Sequence, residues 1–508
     1  MWWYGRVHRE QAIVALIVAV VVIARVASFA YFSSLAAGNP DANPYPVVAG
    51  DSVHYAQWGN NLLTLHAYQE TPGEPLRAAP PGYPALLAGI KFVTGSMTPV
   101  VILQILLASL ASVLIYRMAR TFTPLEAKPL TGLIPAPYAL LPALVYAIDP
   151  MAVFTDSAIM TDGIFSALLV CTVYLAYFQS RVRGPVRWGL VGLLLGGLTM
   201  IRPIAEFLVV VFPAMYLLRE WLAVRQSNPM SDVRVDGARW KATVACIAGF
   251  VLVVTPWMIR NHTHFGSYEI SPLGGHNLLT FSVRGFLAWR VLGETEQPLP
   301  AILVLRHAND PVFSAVDATI AKDLAAITPQ GEDTQSYEGQ LAVRYILHDP
   351  IGYAYFHAVN TIPFFLSSSI AFYGQLAEQV RDNQGFYAPT MLSLFDALGR
   401  MRHPESLASF TAAVLDAAPI LLEMMFWMLV SLLALIALIL RRRDFSILLF
   451  VVLVAYFAAL TGPMAMARYR VPAEPYLLIL AVVGAYEVVH RLKNAWHERT
   501  NIRTSAGS

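Results

Sequence analysis

The chain has 508 residues, of which 56% are hydrophobic and 13% charged, with a formal net charge of +2. Soluble domains carry about a quarter charged residues, so this composition excludes an ordinary soluble domain and indicates a polytopic membrane protein. No segment pairs clustered basic residues with aromatics, which argues against nucleic acid as a partner. Cys171 and Cys246 lie inside apolar runs, which favours two buried thiols over a disulfide framework or a zinc site.

Apolar runs define the predicted transmembrane helices, since a span needs about 20 mostly apolar residues. The first run follows Arg6 and Arg9 and has no small-residue cleavage signal after it, so we expect a retained span. About ten runs qualify or nearly do: Gln11–Ser34, Pro99–Ala119, Leu133–Ile148, Ala158–Phe178, Trp188–Met200, Ile204–Leu222, Ala242–Met258, Ala418–Leu440, Ile447–Leu460 and Tyr476–Val489.

The distribution of Lys and Arg predicts the orientation of these spans. If they alternate, the connections rich in basic residues, such as Arg441–Arg443, all fall on one side, and that side is the cytoplasm. We therefore expect a multi-pass protein of the plasma membrane with both termini cytoplasmic. The outer side then holds the loop at 38–98, the connection around Asp149 to Asp162, and the stretch 261–417.

Three parts follow from this arrangement: an N-terminal transmembrane module over 1–260, an outer-face region over 261–417, and C-terminal helices with a cytoplasmic tail over 418–508. The outer loop 38–98 is predicted to hold interfacial helices, one of them Pro84–Val93, which is apolar but too short to span. A further interfacial helix is predicted at Ile351–Phe372, because counting it as a span would put Arg441–Arg443 outside. The weak helical period of Ala315–His348 predicts a small helical region.

A polar segment of the first outer loop contains the first candidate site residue. Asp51, Tyr55 and Trp58 fall at near-helical spacing, so they can share one face of a short helix. Asp51 at its start gains from the helix dipole and stays ionised. A simple capping role and a functional role both fit this position.

Acids and arginines collect at the predicted outer ends of the spans. If the spans form one bundle, these side chains can converge on one outer cavity. Ordinary interfacial anchoring would explain most of the arginines, but acids are poor anchors. The residues concerned are Asp51, Arg77, Asp149, Asp156, Asp162, Arg202, Arg260, Arg468 and Arg470.

The ordered set of motifs resembles bacterial membrane glycosyltransferases of the GT-C superfamily, family 39 type, which includes protein mannosyltransferases and aminoarabinose transferases. The likeness runs in the family's order over most of the chain. The matching residues are Gly50-Asp51…Tyr55, Pro80-Pro81-Gly82-Tyr83-Pro84, Met160-Thr161-Asp162…Phe165, Arg202-Pro203, Pro256-Trp257…Arg260-Asn261…Phe265-Gly266 and Arg468-Tyr469-Arg470-Val471-Pro472.

The resemblance implies an all-α polytopic enzyme that transfers a hexosyl or pentosyl group from a polyprenyl-phosphate donor. The acceptor would be a lipid, glycan or protein on the outer face of the membrane. It implies that Asp51 is the catalytic base and that Asp162 helps shape the site. The family usually has a basic residue directly before its Pro-Pro motif, whereas Ala78 and Ala79 separate Arg77 from that motif here.

The expected chemistry agrees with these residue types. A departing phosphate needs cations, and the guanidinium fork can bind two phosphate oxygens, which makes Arg202, Arg260, Arg468 and Arg470 candidates beside Arg77. Binding of phospholipid headgroups fits each arginine equally well. Further site candidates are His54, Tyr55, Tyr83 and Asp156.

No cofactor is certain from the sequence, and a divalent metal is left open. His262 and His264 flank Thr263, but two histidines without a third ligand at suitable spacing are weak evidence for zinc. Two other functions remain: a transporter, although transporters tend to bury ionisable residues mid-membrane and to contain repeats, and a non-catalytic subunit of an envelope glycan assembly system.

Overall fold

The computed structural model describes residues 2–39, 43–48, 50–122, 138–179, 184–227, 237–293, 311–330, 334–382, 401 and 406–505. Within them the regular structure is helical, and extended backbone pairs at one isolated antiparallel bridge, Gln69 with Pro75. The helices are α1 (Trp2–Ala37), α2 (Asp51–Thr64), α3 (Gly82–Thr94), α4 (Val100–Ala119), α5 (Leu140–Ile148), α6 (Pro150–Ser157), α7 (Thr161–Val173), α8 (Gly184–Ile201), α9 (Leu208–Ser227), α10 (Gly237–Phe265), α11 (Leu273–Asn277), α12 (Arg284–Gly293), α13 (Pro311–Ile327), α14 (Gln335–His348), α15 (Pro350–Leu366), α16 (Ser369–Asp382), α17 (Leu407–Arg441), α18 (Phe445–Thr461), α19 (Ala467–Arg470) and α20 (Glu474–Ser505).

Eight helices in the described ranges are long and apolar enough to cross a membrane, and each matches one predicted span. The predicted fold class, an all-α polytopic membrane protein, is thereby confirmed. The candidate spans are Glu10–Ala37, Val100–Ala119, Thr161–Phe178, Gly184–Ile201, Arg239–Phe265, Leu407–Arg441, Phe445–Met464 and Glu474–Trp496.

The two remaining predicted spans are helices that fall short of these criteria. The run Leu133–Ile148 contains α5, which has 9 residues, and positions 133–137 lie outside the described residues. Helix α9 has 20 residues, and Arg219 and Glu220 lie in its second half.

The loop 38–98, which is predicted to lie on the outer side, contains the two predicted helices, α2 and α3. Gly50 precedes α2 with a φ of 79°, a left-handed conformation that glycine adopts without strain, and no side chain caps the first turn. The two helices lie close together, since a Cβ on Gly59 of α2 would stand 3.0 Å from the carbonyl oxygen of Pro84. This contact holds the two helices together.

Close backbone packing joins α8 to α10. A Cβ added to Gly192 would lie 2.0 Å from the carbonyl oxygen of Cys246, and one added to Gly249 would lie 2.4 Å from that of Gly189. Small residues allow helices in a membrane to approach this closely. Helix α8 ends at Ile201, because Arg202 precedes Pro203 and adopts the extended conformation that is favoured before a proline. Cys246 is buried here, and both cysteines are free thiols.

A buried ion pair positions the short helix α6. The Arg25 Nε and Nη2 atoms lie 2.9 and 2.8 Å from the Asp156 Oδ2 atom, and Arg25 Nη1 donates to the carbonyl oxygen of Ala147 at 2.5 Å. Both charged side chains are almost fully buried, where a charge needs a partner. The pair ties α1 to α6, which leads into α7 and Asp162.

The predicted interfacial helix at Ile351–Phe372 is instead two helices, α15 and α16, broken at Ser367 and Ser368. The carboxylate of Glu423 on α17 holds the break, because it accepts hydrogen bonds from the Ser368 hydroxyl and from the backbone N–H groups of Ser369 and Ile370. The apolar pattern gave no sign of an acceptor on another helix. The predicted helical region at Ala315–His348 corresponds to α13 and α14.

Candidate active site

The described structure brings two acids and two arginines from four motifs into direct contact. Arg468 lies on the four-residue helix α19, and its Nη2 atom is 2.7 Å from the Asp51 Oδ2 atom and 3.0 Å from the Asp162 Oδ2 atom. Its Nε atom donates to the same Asp162 oxygen at 3.1 Å. Arg468 therefore links the start of α2 to the start of α7, across separations of 417 and 306 residues.

Arg202, directly after α8, completes this group by pairing with the other carboxylate oxygen of Asp162. Asp162 is fully buried, and both of its oxygens are engaged by guanidinium groups. The guanidinium of Arg202 also lies over the ring of Phe165, 5.8 Å from its centroid. We call Asp51, Asp162, Arg202 and Arg468 the charge cluster.

The two acids of the charge cluster differ in exposure. The side chain of Asp51 is 48% exposed, whereas that of Asp162 is 0% exposed. Asp51 is the first residue of α2, and Gly50 precedes it without a side-chain cap. The Asp51 carboxylate accepts a hydrogen bond from the guanidinium of Arg468. Asp51 can be reached from outside the protein, and Asp162 is enclosed behind it.

The electrostatics keep the arginines of the cluster cationic. Burial alone would lower the pKa of Arg468, but the Asp162 and Asp51 carboxylates outweigh it and raise that pKa well above its usual range. The pKa of Arg202 is raised in the same way, since Asp162 overcomes the effect of burial. Burial and then the charge of Asp51 raise the pKa of Tyr55 to about 12. At neutral pH the two arginines are charged and Tyr55 is a neutral phenol.

Several N–H groups of the cluster remain available to a ligand. Asp162 occupies Nη1 of Arg202, and the two acids occupy Nε and Nη2 of Arg468. Among the described residues, no partner occupies Nε and Nη2 of Arg202 or Nη1 of Arg468. Both side chains are partly exposed, at 17% and 16%. The cluster can therefore bind an additional anion.

Two predicted tyrosines border the cluster. The rings of Tyr55 and Tyr83 meet edge to face with centroids 5.4 Å apart. Tyr83 is buried, and its hydroxyl donates to Gln104 on α4 at 2.8 Å. Gln104 in turn donates to the carbonyl oxygen of Ala158 at 2.9 Å. These bonds fix the segment that leads into Asp162.

The other predicted site residues lie elsewhere. Arg470 is fully buried, stacks on Trp427 at 3.8 Å, and pairs with Glu474 at 3.0 Å. Residues two apart on a helix point in different directions, which is why Arg468 reaches the cluster and Arg470 faces the interior. Asp156 is the partner of Arg25.

Arg77 and Arg260 lie together at a second place, where the first loop meets the end of α10. Both guanidinium groups lie over the ring of Phe265, at 5.4 and 5.3 Å from its centroid. Arg260 donates to the carbonyl oxygen of Leu76 at 2.6 Å, and Arg77 pairs with Glu269 at 3.3 Å. Both contacts tie the loop to α10 and its downstream segment.

His54 is exposed and stacks on Trp58 of the same helix. Within the described ranges, no three His, Cys, Asp or Glu side chains gather closely enough to hold a metal ion. The sequence did not single out Gln104, which holds Tyr83 and the segment before Asp162. It also did not single out Trp427 and Glu474, which bind Arg470 in the interior. An amide inside an apolar run was the available signal for Gln104, whereas nothing in the sequence connects Trp427 with Arg470.

Comparison with known proteins gives distant structural matches. No family model matches the chain, and no curated protein matches it. Among solved structures, the crystal structure of ArnT from Cupriavidus metallidurans bound to undecaprenyl phosphate aligns over 93% of this chain and 76% of its own, with 12% identity and a TM-score of 0.35.

Proposed function

We propose that the protein is a membrane glycosyltransferase that takes a sugar from a polyprenyl-phosphate donor and transfers it to a lipid, glycan or protein acceptor. The observation that carries this proposal is the contact of Arg468 with both Asp51 and Asp162. Residues from the first, third and last of the motifs that resemble family 39 enzymes meet at this one arginine. The motifs were identified by the resemblance, and their charged residues are in contact in the structure.

The reaction needs a base and a cationic site for the leaving group. The acceptor oxygen or nitrogen attacks the anomeric carbon, the bond from that carbon to the phosphate oxygen breaks, and the electron pair stays on the phosphate. Asp51 takes the acceptor proton, because it is the exposed acid of the cluster. The unoccupied N–H groups of Arg202 and Arg468 hold the phosphate oxygens.

Asp162 has a different task in this mechanism. It is buried and binds one arginine through each oxygen, so it orients both guanidinium groups and does not exchange protons with the acceptor. The donor's polyprenyl chain lies in the membrane beside the spans. The outer face of the plasma membrane, predicted from the basic residues, is where we place the reaction.

Binding of polyprenyl phosphate, which is common to all such donors, tests the phosphate site without knowledge of the sugar. Arg202→Lys and Arg468→Lys keep the charge but lose the fork that binds two oxygens. We expect each to weaken binding about tenfold, as the loss of one charge-assisted hydrogen bond implies, when the stabilisation of the purified protein is measured during thermal unfolding.

Arg284→Lys is the matched control for these variants. Arg284 forms a two-point pair with Asp317, through Nε at 2.5 Å and Nη2 at 2.8 Å, and lies outside the charge cluster. Its replacement removes the same fork and should leave polyprenyl phosphate binding unchanged. Parent-like affinity in both cluster variants would remove Arg202 and Arg468 from the proposed phosphate site.

A further inference from the structure

A further group of arginines lies at the other end of α18 from the charge cluster. Helix α18 has 17 residues, a length of roughly 25 Å. At its beginning, where α17 ends, there is a cavity of about 520 Å³. The residues that line it are Ile439, Leu440, Arg441, Arg442, Arg443, Asp444 and Arg491. We call this space the basic cavity.

Two carboxylates hold part of the positive charge around the basic cavity. Glu487 on α20 pairs with Arg441 at 2.6 Å and lies 3.8 Å from Arg491. Asp444 accepts a hydrogen bond from the backbone N–H of Ser446 at 2.9 Å and so begins α18. Each of these acids has a structural partner: Glu487 pairs with Arg441, and Asp444 caps α18.

Arg442 and Arg443 are the arginines left to a ligand. Both side chains are exposed, and no carboxylate among the described residues pairs with either of them. Among the described residues, they and Arg441 and Arg491 outnumber the acids Asp444 and Glu487 by four to two, which leaves a net charge of +2 around the cavity. A phosphate-bearing anion matches this charge.

An apolar stripe on α17 leads into the basic cavity. Leu432, Leu435 and Ile439 are 54%, 51% and 60% exposed, and their spacing places them on one face of the helix. Ile439 also lines the cavity. A ligand with hydrocarbon chains and a charged head can therefore contact the stripe and the arginines at once, whereas a free anion contacts only the arginines.

We infer that the basic cavity binds the phosphate-bearing headgroup of an anionic phospholipid, with the acyl chains lying along Leu432, Leu435 and Ile439. The lipid lies in the leaflet that surrounds the junction of α17 and α18. Because α20 carries both Glu487 and Arg491, the bound headgroup bridges the α17–α18 connection to α20. This inference is independent of the proposed glycosyltransferase activity.

The test uses full-length protein in neutral detergent, titrated with phosphatidylglycerol, phosphatidylcholine or inorganic phosphate. Binding is measured as a rise in the unfolding temperature with ligand concentration. We expect phosphatidylglycerol alone to stabilise the parent. Arg442→Gln combined with Arg443→Gln should weaken that binding on the order of tenfold or more, since each arginine near a membrane surface contributes to anionic lipid affinity.

Arg117→Gln combined with Lys241→Gln is the matched control, because it removes two exposed basic residues near the ends of other spans. This control should bind phosphatidylglycerol as the parent does. An equal loss of phosphatidylglycerol affinity in both double variants would show that the lipid is attracted by surface charge in general, and it would overturn the proposed site. Half-saturation by inorganic phosphate at the same concentration as the lipid would overturn the lipid assignment, and unchanged binding in the cavity variant would overturn both.

Discussion

Replacement of Asp51 by asparagine separates catalysis from folding at the charge cluster. Asparagine keeps the size and shape of the side chain but cannot accept the acceptor's proton. Loss of a general base costs about a hundredfold to ten-thousandfold in rate, which corresponds to about 2.7 to 5.4 kcal/mol in the activation barrier. The structure predicts a much smaller effect on stability.

The stability effect follows from the exposure of the Asp51–Arg468 pair. The carboxylate is 48% exposed, and pairs of this kind contribute roughly 0 to 1 kcal/mol. Arg468 also keeps its contacts with Asp162 at 3.0 and 3.1 Å. Asp51→Asn should therefore fold, bind polyprenyl phosphate and transfer sugar at most at a hundredth of the parent rate.

The assay measures sugar transfer by the purified protein at a saturating concentration of a donor that the parent uses. Asp317→Asn is the matched control, because it makes the same change in an exposed pair with Arg284 away from the cluster. It should retain parent activity. An Asp51→Asn enzyme within threefold of the parent rate would refute the assignment of Asp51 as the base, whatever the stability.

Three further predictions address the remaining interpretations. Asp162→Asn removes a buried partner of two arginines. Thermal unfolding should therefore show that the free energy of unfolding falls by about 3 kcal/mol, and polyprenyl phosphate should bind more weakly. A variant as stable as the parent would contradict this. Gly192→Ala should destabilise the α8–α10 contact by about 1 to 3 kcal/mol, whereas Gly197→Ala, whose added Cβ meets nothing within 4 Å, should not, and equal unfolding temperatures would refute the packing argument. In a cysteine-free background, Gln340→Cys should react with an impermeant thiol reagent in intact cells and Lys241→Cys should not; the reverse pattern would overturn the predicted orientation.

The membrane class and most of the helix order were predictable from the residues alone. An apolar run of about 20 residues in a bilayer must satisfy its own backbone groups, so it forms a helix wherever it packs. For the same reason all eight candidate spans match predicted ones. The helices α2 and α3 were also predictable, since glycine and proline mark where they begin.

The membership of the charge cluster was decided by tertiary packing. Arg468 and Arg470 lie in one motif and have the same chemistry, yet α19 turns the first toward Asp51 and Asp162 and the second into the interior against Trp427. The break between α15 and α16 depends in the same way on Glu423, which is more than 50 residues away. Neither outcome is encoded locally, because hydrophobic periodicity predicts which helix face is buried but not which distant charge lies opposite.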